Sequence, residues 1–202
     1  MQWIIGIAAS AAVTVILLIT SFEAAMYLDF SYYQKEYEKY HVLEDLDMKM
    51  EDVMYVTEEM MAYLRGDRKE LKVITTVEGK RLRKYAGVLL VVCVLILLRR
   101  KENLFRILSK SWYIVLGIFL AMAALIGIMV LWNFDAIFLL FHELFFDNDL
   151  WIFDPNTDYM IRMLPEGLFF DFVFRIGSFF LIGMGMISLL CLAVDHRIKS
   201  RK

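Results

Sequence analysis

The sequence is short of what punctuates and staples a soluble domain. Its 202 residues include two prolines, two cysteines and three histidines. Cys93 and Cys191 both lie inside apolar runs, which excludes a disulfide-stapled secreted module. Three histidines are too few to suggest a multi-ligand metal cluster, so no metal and no cofactor is expected. The formal net charge is −2, without the basic surplus that nucleic-acid binding requires. The absence that decides the class is local: four windows carry no Asp, Glu, Lys or Arg, while the stretches between them are crowded with both signs. Of all residues 60% are apolar, against about 45–50% in an average globular domain. Such an excess needs an apolar solvent besides a protein core, and it speaks against a soluble enzyme.

The windows are residues 2–22, 85–98, 111–134 and 176–194. At 1.5 Å per residue, about 20 residues cross a hydrocarbon core of roughly 30 Å. The first window has no basic residue before it and no small-x-small cleavage site after it, so it reads as a retained helix and not as a signal peptide. The second supplies only about 21 Å. It spans if Leu82 joins the helix and Arg83, Lys84, Arg99 and Arg100 reach out to the interfaces. The third carries Trp112, Tyr113 and Trp132 near its ends, where an aromatic belt would put them. In the last, Gly183 and Gly185 suit close helix approach.

Basic residues in short connections orient the chain. Arg99, Arg100, Lys101, Arg106 and Lys110 face one Glu102, and the tail adds Arg197, Lys199, Arg201 and Lys202. Both stretches belong in the cytoplasm. The expected fold is therefore an all-α integral membrane protein, a single membrane domain with four transmembrane helices at 2–22, 82–100, 111–134 and 172–195. Both termini are cytoplasmic, as are the loop 101–110 and the tail 196–202. Residues 23–81 form one extracytoplasmic segment and 135–171 the other. In the first, Leu43, Leu46, Met50, Val53, Val56, Met60 and Leu64 make the stripe of one amphipathic helix that Gly66 stops. Lys69 to Val77 is β-branched enough to read as a strand.

The second extracytoplasmic segment carries eight carboxylates against the single Arg162. Residues 136–146 read AIFLLFHELFF, apolar except for His142 and Glu143 and too short to cross. The segment should lie at the outer interface or dip into it, at the depth of lipid ester groups. By pattern alone His142 reads as the polar tip of an interfacial helix. An ionisable group at that depth is also a functional candidate. Asp154 to Asp158 forms a side-chain-capped turn, and Pro165-Glu166-Gly167 another.

Taken together, Phe141-His142-x-x-Phe145-Phe146-x-Asn148-x-x-Trp151, then Pro155-x-x-Asp158-x-x-Ile161 and Pro165-Glu166-x-x-Phe169-Phe170, resemble the signature of the bacterial lipoprotein intramolecular transacylases. The four-span layout and Tyr63-Leu64-x-Gly66 after a helical stretch fit that family as well. The resemblance implies a multi-pass enzyme of the bacterial cell membrane whose partners are diacylglyceryl lipoproteins and membrane lipid. Such an enzyme moves the sn-2 acyl chain of the diacylglyceryl group to the α-amino group of the same lipoprotein's terminal cysteine, leaving the lyso form. An α-ammonium near pKa 7.7–8.0 must lose a proton before it attacks an ester, and histidine, ordinarily near 6.5, suits that task. Donor and acceptor share one molecule, so orientation contributes most. His142 is the catalytic candidate.

Phe141, Glu143, Phe145, Phe146, Asn148, Trp151, Asp158 and Arg175 are candidates for binding substrate or supporting the site. Turn capping is the favoured role for Asn148 and Asp158, with orientation of His142 or the ester as the alternative. Trp151 reads as an interfacial anchor. Arg175 either pairs with Asp171 one turn earlier, the favoured choice, or snorkels to a lipid phosphate. The chain departs from the family at one point. Members carry a second histidine in an acidic stretch before the second span, whereas here Val77-Glu78-Gly79-Lys80 runs straight into Arg81-Leu82-Arg83-Lys84, as if fifteen to twenty residues were missing. His41 and His196 lie in the wrong context to replace it. The alternative function is a non-catalytic membrane protein of the same fold that binds lipid or lipoprotein.

Overall fold

The computed structural model describes residues 2–64, 74–99, 104–145, 152, 154, 156 and 158–200, the side chains at 63, 64, 74–80, 145, 160, 198 and 199 excepted. Among the described residues all regular structure is helical. The helices are α1 (Gln2–Tyr27), α2 (Ser31–Lys39), α3 (Val42–Leu46), α4 (Met50–Leu64), α5 (Ile74–Arg99), α6 (Leu104–Trp132), α7 (Phe134–Phe145), α8 (Tyr159–Met163) and α9 (Glu166–Ser200). Three of them, α1, α6 and the stretch Glu166–Arg197 of α9, are long and apolar enough to cross a membrane. These correspond to the first, third and fourth expected spans.

The second expected span lies in α5, which is not one of the three. It begins at Ile74, well before residue 82, and reaches about 39 Å. The expected strand is absent where it can be checked, since Ile74–Val77 is the first turn of α5; residues 69–73 lie outside the described residues. The point where a stretch seemed to be missing falls within this one unbroken helix. Arg83 is paired within the protein. Its Nη1 donates to Glu23 Oε2 on α1 at 2.5 Å, which ties the two helices at one level.

Two cores share the molecule. In the membrane bundle α1 packs along α5, α6 and α9. Trp112, Phe180 and Met184 are buried there against Val13, Leu17 and Phe119. Trp112 therefore leaves the expected aromatic belt: its Nε1 donates to Ser188 Oγ on α9 at 3.0 Å, an arrangement that satisfies an indole N–H out of water. Trp132, at the other end of α6, stays exposed. Gly183 meets the close-approach expectation, because a Cβ there would collide with the Leu17 methyl groups on α1; at Gly185 a Cβ would meet open space.

The second core is a helical cap built on the N-terminal end of α9. Tyr33 and Tyr37 of α2, Leu46 of α3, Val53 and Met61 of α4, Met163 of α8, and Leu168 and Phe172 of α9 fill it. Tyr33 Oη donates to the Met26 carbonyl at 2.9 Å, and Tyr37 Oη hydrogen-bonds Thr57 Oγ1 at 2.7 Å. The predicted amphipathic stripe is real but interrupted: Asp47, in the left-handed region at φ 52°, separates α3 from α4. That break rotates the second half, so Val56 faces outward while Thr57 is buried. Gly66 lies outside the described residues.

Leucine in place of Arg83 should cost about 1–3 kcal/mol, because it strands the half-buried Glu23 carboxylate without its donor. Thermal unfolding in detergent should show the loss, and Glu23→Leu combined with Arg83→Leu should recover most of it. A gain in stability from Arg83→Leu alone would mean that helix length, and not the ion pair, is the weakness of α5.

Candidate functional site

Asn133 alone separates α6 from α7. Its Oδ1 accepts the Ala136 amide at 3.1 Å and so caps the first turn of α7. This cap restarts the helix directly after the span, and the apolar run then continues as α7. Phe134 at its start packs edge-on against Phe169 and tilted against Phe170 of α9, with centroids 5.8 and 5.0 Å away. One aromatic row follows: Phe134 to Phe138 at 5.7 Å, then Phe138 to the His142 ring at 4.1 Å. Phe141 meets the same imidazole edge-on at 5.3 Å.

His142 is half-buried on α7, and its Nδ1 lies 2.8 Å from the Phe138 carbonyl oxygen. A carbonyl only accepts, so Nδ1 carries the hydrogen and donates it. In the neutral ring the other nitrogen, Nε2, then holds the lone pair. Rings on two sides and the backbone bond fix the plane of the imidazole. The structure thus joins two of the predicted residues, His142 and Phe141. Glu143 is exposed. Asp158 takes the favoured capping role, its Oδ2 accepting the Asp154 amide at 2.7 Å, while Asp154 Oδ1 accepts the Asn156 amide at 2.9 Å. Phe145 ends α7; Phe146, Asn148 and Trp151 lie outside the described residues. Pro165-Glu166-Gly167 is a helix start, since the Pro165 carbonyl accepts from Leu168 and Phe169.

Arg175 does not pair with Asp171. That carboxylate is occupied by the end of α2 and the residue after it: Tyr40 Oη donates to its Oδ2 at 2.5 Å and the Lys39 ammonium bonds the same oxygen. Arg175 lies flat on the Tyr32 ring, its guanidinium carbon 3.9 Å from the centroid. Glu36 completes this cluster. Burial, and then the hydrogen bond and charge of Asp171, push its carboxyl above the ordinary 4.5. Burial, together with the charges of Glu36 and Asp171, raises the Tyr32 phenol to about 12. No motif announced the cluster. Its only trace in the sequence was the density of tyrosine between 27 and 40.

The fold defines a helical membrane protein with a helical cap and a histidine held on a short helix beside the N-terminal end of its last apolar helix. The profile of the lipoprotein intramolecular transacylase Lit matches residues 7–170, and the chain belongs to that family. Three solved in meso structures of the membrane integral lipoprotein intramolecular transacylase Lit from Bacillus cereus share the fold. One, with a His→Arg mutation, matches at TM-score 0.75 and 20% identity, covering 100% of this chain and 95% of its own. Another matches at TM-score 0.70 and 22% identity, covering 100% and 97%. A third, with a His→Ala mutation, matches at TM-score 0.70 and 21% identity, covering 100% and 94%. A comparison with curated protein sequences gives no match.

The carboxyl of Glu36 sets a pH test. Its folded-state pKa lies above 4.5, so its contribution is fully present below 4.5 and is lost as pH rises through the raised value. Glu36→Gln should match wild type in thermal stability at pH 4 and exceed it increasingly above pH 5. Parallel pH profiles would show that Glu36 ionises freely.

Proposed function

We propose that this membrane protein is a transacylase that carries the sn-2 acyl chain of a diacylglyceryl lipoprotein to the α-amino group of its terminal cysteine, with His142 as the base. Family membership supports the reaction class. The observation that carries the role of His142 is its Nδ1–H bond to the Phe138 carbonyl, which in the neutral ring puts the lone pair on Nε2, the atom a proton acceptor needs. The α-ammonium gives one proton to Nε2, and the amine then attacks the ester carbonyl, forming the N–C bond. As the C–O bond to glycerol breaks, the glyceryl oxygen takes the proton back from the imidazolium. The nitrogen releases its remaining excess proton to solvent. Products are the amide and a monoacylglyceryl group, with His142 regenerated and one proton released. No side-chain nucleophile takes part, and the gain comes from orientation.

His142→Ala should reduce formation of lyso lipoprotein by at least about 100-fold with normal membrane levels, read by mass spectrometry of N-terminal lipopeptides from cells. His142→Gln, which hydrogen-bonds but cannot cycle a proton, should be nearly as inactive. Full activity in either variant would refute the base assignment. Wild type without product would favour the non-catalytic, lipid-binding alternative.

We also propose four spans, with α5 as the second, both termini in the cytoplasm of a bacterial cell, and α7 at the outer interface. Met50→Cys and Asn156→Cys, in a background where Cys93 and Cys191 are alanine, should both be labelled by an impermeant maleimide on intact cells. Protection of both would invert the topology.

A further inference from the structure

We infer that Arg175 is a receptor for the ester carbonyl oxygens of a diacylglyceryl group at the edge of the bilayer core. The inference deepens the transacylase reading and rests on it only for the lipoprotein as one source of that group.

Depth is the first observation. Arg175 directly precedes the uncharged run 176–194, 19 residues of α9. These span about 28 Å, close to a hydrocarbon core of roughly 30 Å. Its Cα therefore stands where hydrocarbon gives way to glycerol and esters.

The second observation is how its donors are disposed. The side chain keeps only 14% of its surface exposed. Tyr32 lies 3.9 Å and Phe179 6.0 Å from the guanidinium carbon, rings that stack on the cation and accept no ordinary hydrogen bond. The nearest carboxylate oxygen, on Asp29, is 3.9 Å from Nη2, beyond hydrogen-bond reach. Nη1 is shielded from solvent and has no acceptor. Asp171, one turn back on the same helix, is committed to Lys39 and Tyr40. The cation is thus oriented by stacking while its hydrogen-bonding capacity is left unspent, a costly condition for a buried charge.

Charge then selects the ligand. Asp29 stands 3.9 Å from Arg175, and Asp171 and Glu36 face Lys39, so each cation already has a carboxylate near it and a second full anion gains little. A neutral acceptor with no proton of its own fits, and ester carbonyls are the acceptors found at this depth. Both a lipoprotein's diacylglyceryl-cysteine and a bilayer glycerophospholipid present them.

The experiment places the full chain, carrying His142→Ala to hold substrate unturned, in nanodiscs of ether-linked phospholipid, which lacks ester carbonyls. Binding is measured for a diacylglyceryl-cysteine peptide and for its dialkyl-ether analogue. The ester peptide should bind about tenfold more tightly, as expected for hydrogen bonds to a charged donor. Arg175→Gln should abolish the preference, and Arg175→Lys, which keeps the charge but loses the stacked fork, should retain part of it. In a second arm, melting temperature without peptide is compared between ester and ether nanodiscs. Higher stability in ester lipid, lost in Arg175→Gln, would assign bilayer lipid as a source of the carbonyls. Equal affinity for the two peptides together with equal stability in the two lipids would overturn the proposal. So would an Arg175→Gln variant equally destabilised in both lipids with the peptide preference intact. If Arg175→Gln does not fold, the ester-to-ether ratios of the parent chain and of Arg175→Lys decide. Undiminished turnover with His142→Ala would sink the base assignment and leave the lipid arm readable.

Discussion

The cap and the membrane bundle meet at Asp171. Its carboxylate, near the N-terminal end of α9, holds Lys39, the last residue of α2, and Tyr40 just after it, and lies beside the protonatable Glu36. Everything built on α2, including the tyrosines that fill the cap, is thereby registered against the last span. Immediately before Asp171, Phe169 and Phe170 hold Phe134, the first residue of the helix that carries His142. One turn of α9 therefore serves two neighbours, gripping the cap with its polar side chain and α7 with its aromatic ones.

The two cores obey different rules. The cap excludes water in the usual way, with buried tyrosines whose hydroxyls find a backbone carbonyl and a threonine. In the bundle there is no hydrophobic gain in placing leucine against leucine instead of lipid. Contact there follows small residues and side-chain hydrogen bonds, such as Gly183 against Leu17 and Trp112 to Ser188. The C-terminal half of α6 makes the contrast plain. From residue 120 to 129 every side chain is exposed on every face of the helix, and its apolar surface belongs to the bilayer. The polypeptide returns to protein contact only where the Asn133 cap turns it into α7.

Much of this was legible because the bilayer constrains sequence more tightly than a protein core does. Uncharged windows marked α1, α6 and α9, and the apolar run around His142 was readable as a short separate helix. The catalytic candidate and the family signature stand in one local stretch. The boundaries of α5 were not legible, because Lys80 to Lys84 look like the end of a helix when they lie inside one. The charged residues there are tolerated because Arg83 meets Glu23, sixty positions earlier. The break at Asp47 was hidden for another reason: the apolar spacing on either side of it continues almost in phase, and only a backbone in the left-handed region reveals the turn.

Local composition thus determined the class of the protein, the course of its apolar helices and the identity of the histidine on α7. Each of these depends on neighbours within a few turns or on the solvent a side chain requires. Tertiary structure alone decided the partners of the charged groups. Asp171 could have taken Arg175 four residues away, yet it binds Lys39 and Tyr40, more than 130 positions distant, leaving the guanidinium on the Tyr32 ring. A helix presents several neighbours of comparable proximity to each charge. Which one wins depends on how α2 lies across α9, a packing outcome set by Tyr33, Tyr37, Leu168 and Phe172 together.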